Sequence, residues 1–255
     1  MPIDKLSKVL KDFDKDVDMA KAAMVRFGLL LPSSNTTMEP EFYRMLPKGF
    51  TVHTARMRLR RATIEELTRM EEEMEEAAEE LADADVDVIG YGCTSGSLIK
   101  GLGHDKEIVS EIERITGKPA VATAGSVLEA LRSLASKRLA VATPYIEEVN
   151  EKEEIFLRDN GFEFVDFKGL GLADNVEIGK QDPMVAYNLV KQLNCKDADG
   201  IFISCTNFRT IEVIEKLETE YGKPVVSSNT ATLWDMIRKV GVRVSIAGYG
   251  RLFTA

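Results

Sequence analysis

Hydrophobic and polar positions along the chain follow two periods, one typical of buried strands and one of amphipathic helices. Largely apolar runs at residues 25–31 and 86–91, broken only by Arg26 and Asp87, lead into polar or glycine-containing segments, which predicts buried strands followed by loops. Residues 63–66 have the form of a helix-capping box, and apolar residues spaced three or four apart over 67–81 predict one long helix. Strand and helix patterns then alternate to the C-terminus, so we predict an α/β protein with mostly parallel sheet.

The first 23 residues have a different pattern. Apolar residues recur every three or four positions among lysines and aspartates, which predicts an N-terminal amphipathic helical arm over residues 1–23. Such an arm either packs on the body of its own chain or contacts another subunit. The sequence leaves both possibilities open.

Three segments of the chain occur twice and in the same order. Two pairs are 112 residues apart and the third pair is 105 residues apart. The paired segments are 26–32 with 138–144, 81–94 with 193–206, and 117–123 with 222–228. A period this long excludes a solenoid. The repeat therefore predicts two similar α/β lobes related by a pseudo-twofold axis.

Composition and charge narrow the class of function. The chain has 42 acidic and 33 basic residues, a net charge of −9, and no basic stripe, which argues against nucleic-acid and anionic-membrane partners. No apolar run approaches the roughly 20 residues that span a bilayer. Three cysteines are too few and odd in number for a secreted disulfide framework. We therefore expect a cytoplasmic protein with no membrane or nucleic-acid partner.

Each repeat places a cysteine where a strand ends and a helix begins. Cys93 follows the apolar run at 86–91, and Cys205 is its counterpart in the second repeat. Ligands of parallel α/β sheets bind at the carboxyl ends of strands, and a helix N-terminus stabilises a thiolate. Cysteine is also among the most buried residue types, so such a position can be core packing. The matched positions favour two reactive thiols facing one interlobe cleft, whereas Cys195 has no counterpart and no expected role.

Backbone amides and short polar side chains follow both cysteines. This composition at a helix start suits the binding of a carboxylate. The same residue types are the preferred helix N-caps, and the two roles are compatible. The residues concerned are Thr94, Ser95, Thr206 and Asn207, together with the loop at 33–37.

Other chemistries find little support. The chain has no CxxC motif, no histidine–carboxylate cluster and no Walker-type loop. Of its two histidines, His53 is expected to be a structural strand residue and His104 a surface residue. We therefore predict chemistry without metal or cofactor, in which the thiols themselves move protons.

Five short motifs occur at the expected strand ends and loops: PSSNTTMEP at 32–40, GCTSG at 92–96, TPY at 143–145, ADN at 173–175 and SCTN at 204–207. Together they resemble the maleate cis–trans isomerase family, which is related to the arylmalonate decarboxylases and to the aspartate/glutamate and hydantoin racemases. The resemblance runs from about residue 25 to the C-terminus.

The resemblance implies a fold and an assembly. It implies two flavodoxin-like lobes with parallel sheets and an active site in the cleft between them. Because the final segment of the family fold returns to the first lobe, we expect lobe 1 to comprise 24–122 plus 226–255 and lobe 2 to comprise 123–225. Members are commonly dimers, so a homodimer or higher homo-oligomer is expected.

The resemblance also implies roles for individual residues. Cys93 matches the nucleophile that adds to the substrate double bond, and Cys205 matches the opposing acid/base thiol. Asn35, Tyr145 and Asn175 match the residues that hold the carboxylates, helped by backbone amides near Thr94 and Thr206.

These roles imply a cofactor-independent isomerase of a small dicarboxylate, converting maleate to fumarate. A two-cysteine amino-acid racemase and an arylmalonate decarboxylase-like enzyme are the alternatives, although decarboxylases have a cysteine only at the second position. A carboxylate-binding protein without turnover is a further alternative.

Overall fold

Two four-stranded parallel sheets form the framework of the protein. The computed structural model describes residues 24–254, so the arm predicted over 1–23 lies outside the described residues. The first sheet has the strand order β2-β1-β3-β4. Its strands are β1 (Val25–Pro32), β2 (Phe50–Met57), β3 (Val88–Tyr91) and β4 (Ala120–Ala122).

The second sheet repeats this topology with the order β6-β5-β7-β8. Its strands are β5 (Arg138–Tyr145), β6 (Glu163–Leu172), β7 (Gly200–Ile203) and β8 (Val225–Ser227). Every pair of neighbouring strands in both sheets is parallel. The prediction of an α/β protein with two lobes and parallel sheets is confirmed.

Helices connect the strands and cover the sheets. They are α1 (Met38–Met45), α2 (Ile64–Met70), α3 (Met74–Asp83), α4 (Thr94–Leu98), α5 (His104–Thr116), α6 (Thr123–Ser133), α7 (Glu147–Asp159), α8 (Asn175–Gly179), α9 (Pro183–Lys191), α10 (Ile214–Tyr221) and α11 (Ser228–Lys239). Within residues 24–254, none of them has both the length and the apolar character needed to cross a membrane.

The helix predicted over 67–81 is interrupted. A 3₁₀ turn at Glu71–Glu73 separates α2 from α3, so the prediction of one continuous helix is wrong. The apolar residues on either side, Leu67, Met70 and Met74, are nevertheless all buried. The tighter turn changes the helical geometry but leaves the apolar face towards the core.

The two lobes meet through the helices that follow their last strands. Helix α6 follows β4, α11 follows β8, and these helices pack against each other. Helix α11 also packs on β3 and β4 of the first sheet, so the chain crosses back to the first lobe after β8. The lobe boundary expected between residues 225 and 226 falls inside β8, which pairs with β7 over its whole length. The second sheet therefore runs through Ser227.

Candidate active site

The ends of four strands enclose a single cavity between the lobes. Cys93 and Cys205 lie just after β3 and β7, the central strands next to β1 and β5. The loop after β1 and the end of β5 add further polar side chains. The residues that line the cavity are Pro32, Asn35, Leu59, Ala62, Cys93, Ser95, Tyr145, Asn175, Cys205, Thr206 and Asn207.

Eight of the nine residues expected at the site lie on the cavity wall, and Thr94 is the exception. The Oγ1 of Thr94 instead donates a hydrogen bond to Ser228 Oγ at 2.8 Å. The wall also contains Pro32, which begins the motif at 32–40, together with Leu59 and Ala62, which belong to none of the motifs. Their apolar surfaces confine a ligand without binding its charged groups.

The cavity is closed around very little space. Its volume is about 10 Å³, close to that of a single water molecule, and both thiols are buried. A ligand with two carboxylates is larger than this space. Binding of such a ligand therefore requires residues of the cavity wall to move apart.

Cys93 occupies the N-cap position of α4. Its Sγ accepts a hydrogen bond from the Gly96 N–H at 3.3 Å and lies 3.8 Å from Ser95 Oγ. Burial raises the pKa of the Cys93 thiol to about 11, although both donors favour the thiolate. The expected stabilisation by the helix start is present, but desolvation outweighs it.

Cys205 has a similar electrostatic environment. Burial raises the pKa of the Cys205 thiol to about 12, while hydrogen bonds from the Tyr145 hydroxyl and the Asn207 N–H favour the thiolate. A negative charge on Cys93 raises this pKa further, because the two thiols face the same low-dielectric space. Both cysteines are therefore thiols in the closed site at neutral pH.

The polar residues of the wall hold one another in place across the two lobes. Asn35 Nδ2 donates to Thr206 Oγ1 at 3.0 Å. Asn207 Oδ1 accepts from the Thr36 N–H at 2.9 Å, and its Nδ2 donates to the Asn175 carbonyl at 2.6 Å. This network joins the loop after β1 to the turn that contains Cys205.

The cavity wall carries no charged side chain. A bound carboxylate would be held there by neutral amide and hydroxyl donors, which stabilise negative charge effectively when water is excluded. Within the described part of the chain, no group of three or more His, Cys, Asp or Glu residues is arranged to hold a metal ion.

A fully buried carboxyl lies behind Cys205 and was missed by the sequence analysis. Glu153 on α7 accepts a hydrogen bond from Ser204 Oγ through Oε1, while Oε2 has no hydrogen-bond partner among residues 24–254. Burial raises the pKa of Glu153 to about 7. Its position in the sequence is a signal that predicts burial, because Glu153 lies on the apolar face of α7 together with Val149 and Phe156.

A second buried carboxyl joins the lobes. Glu41 on α1 accepts hydrogen bonds from the Thr210 N–H at 2.9 Å and from Asn229 Nδ2 at 2.7 Å. Burial raises its pKa to about 7. In the sequence, the signal for Glu41 is its place on the same face of α1 as the apolar residues Met38, Phe42 and Met45, all of which are buried.

The surface position expected for His104 is wrong. His104 is only 2% exposed, and its Nε2 lies 3.3 Å from Glu71 Oε2. The 3₁₀ turn that carries Glu71 covers the start of α5, which the local sequence around His104 does not reveal.

Replacing Gly96 with alanine is expected to lower turnover about tenfold by displacing the thiol of Cys93. A Cβ at residue 96 would lie 3.1 Å from Cys93 Sγ and 3.0 Å from Tyr91 Oη. Alanine is the better helix former, so the melting temperature should not fall through loss of helix propensity. Steady-state kinetics and thermal unfolding of the variant check this, and full activity would contradict it.

Comparison with known proteins agrees with this geometry. The arylmalonate decarboxylase family matches residues 27–253. The chain is 32% identical over 244 residues to a maleate isomerase of Pseudomonas putida, covering 91% of this chain and 98% of that protein. It is 28% identical over 238 residues to the arylmalonate decarboxylase of Bordetella bronchiseptica, covering 92% of this chain and 99% of the relative.

A solved structure adds chemical detail about one relative. The maleate cis–trans isomerase of Nocardia farcinica superposes with a TM-score of 0.87 at 29% identity, covering 90% of this chain and 98% of that one. That structure is a cysteine-to-serine variant with a covalently bound succinylcysteine intermediate. From its fold, its paired strand-end cysteines and these matches, the chain belongs to the family that contains the arylmalonate decarboxylases and the maleate isomerases.

Proposed function

We propose that the protein is a cofactor-independent isomerase that converts maleate to fumarate by addition of Cys93 to the double bond. One observation carries the proposal: two thiols at matched strand ends face a single closed cavity lined by neutral donors. Relatives named maleate isomerase support the choice of substrate.

The reaction requires the double bond to become single for a time. In net terms the S–H of Cys93 adds across it, with a C–S bond forming at one carbon and a C–H bond at the other. Cys205 relays the proton, giving its own proton to carbon and receiving that of Cys93. The resulting succinyl adduct rotates about its C–C bond, and the reverse steps release the trans product and restore both thiols.

The negative charge that develops during addition needs donors close to the carboxylates. Asn35, Tyr145 and Asn175 line the cavity and are proposed to hold the carboxylates, together with Ser95, Thr206 and Asn207. Thr94 contributes through its backbone, because its side chain faces Ser228. Donors already fixed by hydrogen bonds need no reorganisation as charge forms.

Proton NMR of the purified protein tests the proposed function. Maleate should convert to fumarate, while aspartate, glutamate and phenylmalonate should remain unchanged. Turnover should survive treatment with a chelator followed by gel filtration, because the proposed groups are all side chains and amides of the chain. Racemisation of an amino acid in D₂O, decarboxylation of phenylmalonate, or binding of maleate without turnover would each replace the proposal with a different function.

We also propose that the protein is a cytoplasmic homodimer or higher homo-oligomer without nucleic-acid or membrane partners. The net charge of −9 supports the absence of nucleic-acid and membrane partners. Membership of the family supports the homo-oligomeric state. Light scattering of the full chain measures the assembly.

A further inference from the structure

The two cysteine turns occupy matched positions in the repeat, but their backbones differ. Cys93 has φ −142° and ψ 110°, an extended conformation that any residue adopts. Cys205 has φ 90°, a region that is sterically unfavourable for residues other than glycine. The turn at Cys205 is therefore strained and depends on its surroundings to keep this conformation.

One side chain contacts the strained backbone directly. The N–H of Cys205 donates a hydrogen bond to Ser228 Oγ at 3.0 Å, and Ser228 is fully buried at the start of α11. The same Oγ accepts from Thr94 Oγ1 at 2.8 Å. In addition, Thr206 Oγ1 donates to the Gly92 carbonyl at 3.0 Å. The hydroxyl of Ser228 thus joins the two cysteine turns, with a second link beside it.

The corresponding residue of the first repeat makes no such contact. Thr123 begins α6 as Ser228 begins α11, and the sequence repeat pairs them. Thr123 Oγ1 donates to the Tyr91 carbonyl at 2.9 Å, the same carbonyl that accepts the Cys93 N–H at 3.0 Å. The N–H of Cys93 is therefore satisfied within its own turn, whereas that of Cys205 depends on a side chain in another element.

We propose that Ser228 is a positioning residue for Cys205. The hydroxyl of Ser228 holds the strained turn so that the thiol of Cys205 faces Cys93 across the cavity. This inference rests on the proposed isomerase function, since it assigns Ser228 to the proton relay through Cys205. Without the hydroxyl, the N–H of Cys205 is buried with no partner, which is unfavourable. The turn then relaxes from its positive φ and carries the thiol with it.

Adjacent serines at the start of α11 provide a matched pair of variants. Ser227 is the N-cap of the helix, and its Oγ accepts from the Thr230 N–H at 3.2 Å. Ser227→Ala should therefore lower stability through loss of the cap yet retain turnover at a temperature below unfolding. Ser228→Ala should lower kcat about tenfold or more, because the acid/base thiol is misplaced.

Two further measurements separate positioning from a merely structural role. With maleate, Ser228→Ala should accumulate a covalent adduct at Cys93, visible by intact-protein and peptide mass spectrometry, because the misplaced Cys205 is slow to remove the carbon-bound proton whose loss releases the product. Without any substrate, iodoacetamide should label Cys205 faster in Ser228→Ala than in Ser227→Ala, while labelling of the buried Cys195 stays the same in both. Equal kinetics and equal Cys205 labelling in the two variants would overturn the inference.

The labelling result distinguishes failure of this inference from failure of the proposed function. Faster labelling of Cys205 in a protein that does not turn over maleate would retain Ser228 as the residue that holds the turn and reject the isomerase. Should Ser228→Ala fail to fold, Cys205→Gly and Cys205→Ala test the strain instead. The glycine variant should melt at the higher temperature because only glycine accepts this φ without strain, and the opposite order would overturn the inference.

Discussion

Cys93→Ser is expected to lower the turnover of maleate by at least about two decades and to form no covalent adduct. A serine hydroxyl is far less acidic than a thiol, whose free pKa is about 8.5, so it is a poor nucleophile at neutral pH. Steady-state kinetics gives the loss of turnover, and intact-protein mass spectrometry reports the adduct.

Cys205→Ser should fail in a different way. Turnover should fall about a hundredfold, the usual effect of losing a positioned acid or base. Attack by Cys93 on the double bond nevertheless remains possible in this variant. We expect this variant to accumulate an adduct on Cys93 when maleate is added. The covalent succinylcysteine in a cysteine-to-serine variant of the Nocardia farcinica relative shows that such a species is stable enough to observe.

The third cysteine provides the control for both variants. Cys195 is buried, but it lies outside the cavity, and its Sγ donates a hydrogen bond to the Val190 carbonyl at 3.8 Å. Cys195→Ser should therefore keep the activity of the unaltered protein at temperatures where it is folded. Equal adduct formation by the Cys93 and Cys205 variants would indicate interchangeable thiols, as in a two-base racemase. Full activity of Cys93→Ser would end the isomerase proposal.

Glu153→Gln is expected to stabilise the folded protein at pH 8 by roughly 2–3 kcal/mol relative to its effect at pH 5, because burial raises the pKa of the Glu153 carboxyl to about 7. In the unfolded chain the carboxyl loses its proton near its ordinary pKa of 4.5, whereas in the folded protein it does so only near 7. Between these values the folded state holds more protons. The free energy of unfolding therefore falls as the pH rises.

Glutamine has no proton to lose, so the variant escapes this decline. Its amide oxygen can still accept the hydrogen bond from Ser204 Oγ that Glu153 now accepts. Urea unfolding at pH 5 and pH 8 measures the difference. Glu151→Gln, at an exposed position of the same helix, is the matched control and should change stability by less than about 0.5 kcal/mol at either pH. An equal effect of Glu153→Gln at both pH values would show that the buried carboxyl does not titrate in this range.

The main elements of the fold could be predicted from the sequence because they depend on local patterns. Residues 27–31, for example, are apolar or glycine throughout because a strand covered on both faces exposes neither face to water. The repeat placed Cys93 and Cys205 at equivalent strand ends of the two sheets, the place where parallel α/β sheets bind ligands. The structure places eight of the nine residues predicted for the site on the cavity wall.

The exceptions share a physical cause. Thr94 turns to Ser228, which is 134 residues away along the chain, and the Cys205 turn is held by a different element. His104 is buried by the turn that contains Glu71. No local pattern encodes which distant segment will cover a residue.

What the sequence by itself determined was the order of the elements, the two lobes and the chemistry available at the strand ends. The tertiary structure decided the protonation state of the two thiols. Burial raises the pKa of Cys93 to about 11 against the helix start that favours its thiolate. It also decided that two matched cysteines differ, one relaxed and one with φ 90°. Desolvation and backbone strain both depend on how segments that are distant in the sequence pack together, and a single stretch of sequence carries no record of that packing.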